Sequence, residues 1–578
     1  MKICGLKLTH DGSIALIDDN RLVFSIEMEK IANNKRYSSI DDTQTIVDIL
    51  AGEGYSLSDI DRFVVDGWGG YDQDALAIQP RLRIDAETNW LSINDHGRPM
   101  EIGIAQYHER SLRHDALQQW SFQGLKIGGV DLAYTSVLHV TGHIMSAYCS
   151  SPFAAAGESA HVLVWDGGMF PRLYYFDAPA GKVINLGPIF LMIGNIYTIF
   201  SQHFGPFAVK GGFAKDSLSV AGKVMAYIAL GHNRPELHPH FDTIYREHFD
   251  KPMGFANALA SAFKKRIEGQ GYTDEDILCS FHHYLSDLLV AKLKKKVQRL
   301  PHAVVNLCLA GGCALNIKWN SAIRNDGLFA QVYVPPFPND SGSAIGAACT
   351  AMLEKTGRAA LEWSVYSGPS ISGHSVAGDW DAEPCPVEAL AALLDETQEP
   401  VVFLNGRAEL GPRALGNRSI LAAPVNDSMK DLLNDVKLRE AYRPVSPICL
   451  EAHAAAIFEP GCADPYMLFD HSVRKEWVAR IPAIRHLDGT ARLQTVSETS
   501  NPVVAALLEA YYRRTGIPLL CNTSANLNGS GFFPDVASAQ QWDKVNYVWS
   551  EGMLYSRSVK LPIGPKAVAQ RLETANGL

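Results

Sequence analysis

No stretch of this sequence approaches the roughly 18 consecutive apolar residues that a membrane-spanning helix needs, so no membrane partner is expected. No C-x-x-C pair occurs among the ten cysteines, which argues against a disulfide framework and a zinc ribbon. The opening MKICGLKLTHDGSIALI lacks the unbroken apolar run of a signal peptide, and a cytoplasmic chain that begins inside its fold is the expectation. Excess positive charge is missing too. The net charge of -10 gives little long-range attraction for nucleic acid, and no nucleic-acid partner is expected. What is present is ordinary globular composition, 47% hydrophobic and 20% charged, over 578 residues. That length exceeds one compact core and implies two large domains, or three with an insertion.

Residues 1 to about 360 alternate short β-branched runs with helical patterns, the writing of an α/β fold. The stretch Ser367 to Pro386 is rich in Ser, Gly and Pro. We therefore divide the chain into a domain at 1–366, a linker at 367–385 and a second domain at 386–578. Within the first domain, Ile3 to Leu8 and Ile14 to Ile17 read as strands joined by His10-Asp11-Gly12-Ser13. Val162 to Trp165 and Arg172 to Phe176 repeat the pattern around Asp166-Gly167-Gly168. Glycine turns that expose backbone N–H groups can take phosphate, although Asp-Gly hairpins are also common without any ligand. A third β-rich run, Val304 to Leu309, leads into Ala310-Gly311-Gly312-Cys313-Ala314-Leu315-Asn316, where a nucleoside could approach the backbone. The helical pattern from Phe281 to Leu300 reads as packing, and its Lys294-Lys295-Lys296 run as a solvated face.

The most specific chemistry lies at His139-Val140-Thr141-Gly142-His143. If the helix that follows already includes His139, the two imidazoles stack one turn apart and can reach one ion. The ordinary alternative is a pair of capping or core histidines. Asp166 and Asp340, each at the end of a predicted strand, are the preferred carboxylates to complete a hard, catalytic site.

Several strings then carry a resemblance. HDGSIALI, HVTGH, WDGG, AGKVMA, AGGCALN and PPFPNDSGSAIGAA stand in order in the first domain. NGRAELGPRALGNRSIL, NDVKLREAYRPVSP and CNTSANLNG stand in the second. Along essentially its whole length the sequence resembles the O-carbamoyltransferase family of nodulation-factor, tobramycin, cephalosporin and ansamycin carbamoylating enzymes. The resemblance implies an actin-like ATPase domain (ASKHA, Kae-type) of two ribonuclease H-like halves, followed by an α+β YrdC-like domain. It also implies transfer from carbamoyl phosphate, through carbamoyl-AMP, to a hydroxyl of a small molecule in natural-product, antibiotic-type biosynthesis.

By the same resemblance His139, His143, Asp166 and Asp340 hold one divalent metal: Fe(II) first, Mn or Zn as alternatives, with Mg accompanying ATP. Asp11, Gly167, Gly168, Gly222, Gly311, Gly312 and Asn316 fall to the nucleotide and its phosphates. Carbamoyl phosphate is assigned to Arg413, Arg418, Lys437, Arg443, Arg492, Asn522, Thr523 and Ser524, a set able to grip a phosphate dianion and polarise a carbonyl. His10 is the chosen base for the acceptor alcohol, with Lys223, Lys437 and Arg443 as further catalytic groups. A homodimer is left open. The acceptor is expected against Trp68 to Asn94 and Glu236 to Phe255, loops without a readable code.

Some positions depart from the family pattern. Val140 replaces a second histidine that is not an expected ligand; Ala423 replaces an aspartate, and Ala525 and Ser530 a phenylalanine and a glutamate, so the wall of the carbamoyl-phosphate pocket is expected to differ. Ser25 to Lys30, SIEMEK, points to the cephalosporin-modifying branch. Three rivals remain: a tRNA threonylcarbamoyl enzyme, which needs a basic RNA face; a hydrogenase-maturation enzyme, which needs C-x-x-C zinc motifs; and a non-catalytic ATP sensor on the actin-like fold.

Overall fold

The two hairpins expected near Ile3 and Val162 are the nuclei of two sheets with one design. In the computed structural model, β1 (Lys2–Lys7), β2 (Ser13–Asp18) and β3 (Arg21–Glu27) pair antiparallel. β4 (Arg62–Asp66) and β9 (Val130–Val137) continue parallel from β1, and β8 (Gln119–Ile127) closes the edge. The second sheet repeats this as β10 (Ala160–Val164), β11 (Arg172–Asp177) and β12 (Lys182–Pro188) antiparallel, with β13 (Asn306–Ala310) and β14 (Gln331–Tyr333) parallel. Apart from β8, the two sheets share one strand order. A small antiparallel sheet, β5 (Arg81–Ile84), β6 (Asn89–Asp95) and β7 (Arg98–Ile104), is inserted in the first half. The structure describes residues 1–31, 33, 36–69, 81–84, 89–209, 217–248, 255–300, 305–373 and 378–563.

Two helices, His139–Cys149 and Ser343–Thr356, form the seam between the halves, and nearly all of their residues are buried. They cross so closely that a Cβ on Gly346 would lie 1.8 Å from the Gly142 carbonyl oxygen. Only glycine permits that approach, which brings the start of each helix to one point.

The second domain is built on an eight-stranded mixed sheet, ordered β15 (Trp380–Pro384), β25 (Met553–Arg557), β24 (Tyr547–Ser550), β16 (Val401–Leu404), β17 (Arg418–Ala422), β23 (Leu519–Ser524), β18 (Ser446–Leu450) and β22 (Gln494–Val496). β15 starts at Trp380, so the sheet begins inside the stretch read as a linker. That stretch is stitched to both domains: Ser25 N–H donates to Ser367 O, and Gly368 N–H to Ala408 O. The helix Ile317–Asn325 docks on the second domain through Lys318, whose Nζ lies 3.1 Å from Asp470 and 2.6 Å from Asp488.

Candidate active site

β9 ends at Val137 and the next helix begins at His139 itself, the arrangement that sets the two histidines on one face. First-turn N–H groups, which a helix cannot satisfy internally, are met from outside: His139 N–H donates to Gln106 O and Val140 N–H to Tyr107 O. The fold thereby places the Tyr107 ring 4.6 Å from the His139 ring.

The four expected ligand residues converge. His139 Nε2 and His143 Nε2 are 3.2 Å apart, each is 3.5 Å from Asp340 Oδ1 and each is 3.9 Å from Asp166 Oδ2. Donor atoms around a tetrahedral ion with bonds of about 2.1 Å stand about 3.4 Å apart, so this set fits a cation without rebuilding. All four side chains are buried. Burial and the Asp340 charge push the Asp166 carboxyl up, but the His139 and His143 imidazoles outweigh them and hold it well below the usual carboxylate range. Burial likewise raises Asp340, and Lys7, His139 and His10 more than reverse it. His139 is lowered by burial yet raised overall by Asp66 and Asp340. A proton and a metal ion would therefore compete for this pocket.

Residues that sequence reasoning missed surround these ligands. Asp66, the last residue of β4, lies 2.7 Å from His139 Nδ1. Lys7, the last of β1 and 1% exposed, stands 3.3 Å from Asp66 and 2.9 Å from Asp340 Oδ2, with its ammonium 3.9 Å from the Trp68 ring centre. Tyr107 donates its hydroxyl to Asp166 Oδ2. An acid ending an apolar strand was the signal that found Asp166, and RFVVD offers it for Asp66 as well. Lys7 lies in the opening string, where nothing distinguishes it from a strand-edge lysine.

His10 sits at the mouth of this centre. Its Nδ1 is 3.0 Å from Asp11 Oδ2, and its Nε2 is 3.6 Å from Asp340 Oδ2. The structure thus places His10, the expected base, against Asp11 and beside the expected ligand residues. Some glycine N–H groups expected to face phosphate are used by the fold. Gly12 donates to Ser38 O, Gly311 (φ +85°) to Pro338 O, and Gly312 to Asp166 Oδ1 at 2.6 Å. The last bond ties the loop expected to hold the nucleoside to Asp166, one of the expected metal ligands. Gly167 and Gly168 pack against Asn195 and Tyr107. Asn316 caps the helix Ile317–Asn325, accepting from Lys318 N–H and Trp319 N–H. Gly222 and Lys223 lie on the helix Ser217–Tyr227, and Lys223 reaches Glu440 of the second domain at 3.2 Å rather than a glycine turn.

The second domain holds the opposite charge. Arg413, Lys437, Arg439, Arg443 and Arg492 gather with Arg36 from the first domain, opposed only in part by Glu29, Glu440 and Asp464. Burial, then Arg36 and Arg443, pull the Arg413 guanidinium down to about 10, and burial with Arg443 takes Arg439 down to about 9. Lys437 is held well below the usual lysine range by burial, Arg439, Arg36 and Arg443, and Arg492 well below its own by burial, Arg413, Arg439 and Arg443. Lys437 donates to Ser524 O, to Ser524 Oγ at 2.9 Å and to Asn526 Oδ1 at 2.7 Å, while Arg439 Nη1 donates to Thr523 Oγ1 at 2.9 Å. Arg413 Nε and Asn522 Oδ1 are buried without a hydrogen-bond partner among the described residues. Like charges in such numbers are costly to bury unless an anion joins them.

Arg418 is not part of this cluster. Its guanidinium donates to the carbonyls of Asn405, Asn417, Pro369 and Gly406, so it braces a loop. Arg439 and Arg36 were missed; Arg439 lies within the string NDVKLREAYRPVSP, unmarked by any spacing. Arg413 reaches from this cluster into the first domain, where its Nη2 donates to Leu315 O, in the loop expected to hold the nucleoside, at 3.2 Å.

With both centres in place, comparison with known proteins decides the family. The description "Carbamoyltransferase N-terminus" matches residues 2–349, and "Carbamoyltransferase C-terminus" matches 391–555. The chain belongs to the carbamoyltransferase family. It is 47% identical to nodulation protein U of Rhizobium tropici, covering 99% of each chain. It is 30% identical to 3'-hydroxymethylcephem-O-carbamoyltransferase of Streptomyces clavuligerus, covering 94% of this chain and 97% of that one. Among solved structures, the activator of 2-hydroxyisocaproyl-CoA dehydratase from Clostridium difficile is 14% identical, covers 61% of this chain and 95% of that chain, and gives a TM-score of 0.32, too loose to argue from.

These identities overturn the pointer from Ser25–Lys30 to the cephalosporin branch. The string belongs to the junction between domains: Glu27 accepts from Gly411 N–H, Glu29 pairs with Arg36, and Lys30 lies over the Phe532 ring. It therefore reports packing between the carbamoyltransferase domains rather than substrate. Of the loops expected to bind the acceptor, residues 70–80, 85–88 and 249–254 lie outside the described residues. Among the described residues no helix is long and apolar enough to cross a membrane.

Proposed function

We propose that this carbamoyltransferase is ATP-dependent and moves the carbamoyl group of carbamoyl phosphate, through carbamoyl-AMP, to a hydroxyl of a small molecule. The observation that carries the reading is the pairing of two buried centres of opposite charge joined by Arg413. The second domain, read as YrdC-like, takes the phosphate dianion with Arg413, Lys437, Arg439, Arg443 and Arg492, helped by Asn522 and Thr523. Clustered guanidinium and ammonium groups stabilise the phosphate as it leaves. Water supplies the oxygen that replaces the phosphate, and the carbamate so formed passes inward beneath Leu315 to ATP against Gly311, Gly312 and Asn316, where a carbamate oxygen attacks the α-phosphorus and pyrophosphate leaves, giving carbamoyl-AMP. His139, His143, Asp166 and Asp340 would hold a divalent ion, whose charge would offset that on the ATP phosphates. The mixed imidazole and carboxylate donors suit Fe(II), Mn or Zn. His10 Nε2, with Asp11 orienting its Nδ1, takes the proton of the acceptor hydroxyl as the oxygen attacks the carbamoyl carbon and AMP departs.

The test is incubation of purified protein with ATP, labelled carbamoyl phosphate and a panel of alcohols that includes 3'-hydroxymethylcephem, with tRNA as a separate arm. Pyrophosphate, AMP and carbamoylated alcohol should form together. Label in tRNA, or phosphate release without any ATP cleavage in every arm, would overturn the proposal.

A further inference from the structure

The residue least explained by this mechanism is Lys7, a buried ammonium that faces no substrate. Four side chains from four segments close a ring around it. His139 Nδ1 meets Asp66 Oδ2 at 2.7 Å, Asp66 Oδ2 meets Lys7 Nζ at 3.3 Å, Lys7 Nζ meets Asp340 Oδ2 at 2.9 Å, and Asp340 Oδ1 returns to His139 Nε2 at 3.5 Å. The oxygens of Asp340 are thus divided, Oδ2 toward Lys7 and His10 and Oδ1 toward the His139 and His143 imidazoles. Asp66 and Lys7 are 4% and 1% exposed, so water screens neither. Resting on the metal reading above, we infer that Lys7 and Asp66 are positioning residues of the metal centre: Asp66 fixes the His139 tautomer, and Lys7 sets the charge of the site for a divalent ion.

The chemistry runs as follows. A carboxylate at Nδ1 holds the proton there and leaves the Nε2 lone pair facing His143, Asp166 and Asp340, as metal-bound histidines require. Charge makes the second half of the argument. Two neutral imidazoles and the carboxylates of Asp166 and Asp340 are neutralised by a divalent ion, while Lys7 and Asp66 neutralise each other. A trivalent ion would leave one uncompensated positive charge in a buried site. Without an ion, Lys7 is the only lysine or arginine among the described residues that is ion-paired to a ligand carboxylate. It should therefore hold the empty site together while lowering its intrinsic attraction for cations.

These roles predict opposite effects for two substitutions, which a purely structural role would not. The full chain, stripped with chelator, is titrated with Co2+ alone, reading its visible spectrum and melting temperature, and with nitrilotriacetate-buffered Ga3+ as a redox-inert trivalent probe. Asp66→Asn should weaken Co2+ binding about 10- to 100-fold. Lys7→Met should melt lower than wild type without metal, gain more from Co2+ than wild type does, and narrow the preference for Co2+ over Ga3+ about tenfold or more. Lys7→Arg, which keeps the charge, should retain that preference and decides the matter if Lys7→Met does not fold. The inference is overturned if Lys7→Met shows the wild-type Co2+ shift and selectivity, if Lys7→Arg loses selectivity, or if Asp66→Asn binds Co2+ unchanged. Failure of the wild type to bind Co2+ would remove the metal reading itself, and this inference with it.

Discussion

The candidate metal centre and the cation chamber are both buried, both polar and both incomplete, but they are made in opposite ways. The first is a convergence of mostly short side chains from the ends of β1, β4 and β10, a helix start and the turn at Asp340, in which His139, Asp166 and Asp340 are each held by a further partner. The second is a gathering of long, flexible cations from both domains, held to backbone and amide oxygens at a few points. A metal ion tolerates little positional error, whereas a phosphate can be gripped by several adjustable donors. One centre is set by close helix packing around Gly142 and Gly346, the other by domain docking. Damage to one should therefore leave the other intact.

The largest effect should come from His139→Ala. Co2+ binding and pyrophosphate release are expected to fall at least about a thousandfold, while phosphate release from carbamoyl phosphate survives. Equal loss of both in a folded variant would break the comparison. Arg418→Ala comes next and sharpens the distinction between bracing and binding. Leaving four carbonyls without their donor should cost about 3 kcal/mol or more of stability by denaturant titration, with an unchanged KM for carbamoyl phosphate in the folded fraction. Arg439→Ala should weaken inorganic phosphate binding by calorimetry about 10- to 100-fold, with Co2+ binding unaltered.

The effect that is smallest at neutral pH tests the seam between the two regions. Burial pushes the Glu27 carboxyl up to about 8, against 4.5 when unfolded. The folded state then binds the extra proton, so this contribution is complete below pH 4.5 and is lost as pH rises to about 8. Glu27→Gln keeps an acceptor for Gly411 N–H and should flatten the stability profile over that window, by at most on the order of 5 kcal/mol. An unchanged slope would remove Glu27 from the account.

Much of the first centre was legible because its signals are local. An i, i+4 histidine pair and acids at strand ends are set by helix pitch and sheet geometry, and the structure places all four where those rules direct. Asp66 carried the same signal and was passed over because a strand-end acid acquires meaning only when its neighbour strand is known. The chamber was less legible. Arg418 and Arg413 lie five residues apart in one string, yet one braces a loop and the other spans two domains, and nothing in their spacing separates them. Lys223 found its partner, Glu440, across the domain boundary.

The sequence by itself determined the family, the paired hairpins and the choice of His139, His143, Asp166 and Asp340 as the quartet that converges, since these rest on local strings and periodicity. Only the tertiary structure decided which cations face one another, which glycine N–H groups the fold consumes, and that Lys7 lies between two carboxylates. The reason is physical: a charge acquires its role from the burial and the neighbours that folding gives it, and those neighbours come from segments hundreds of residues away.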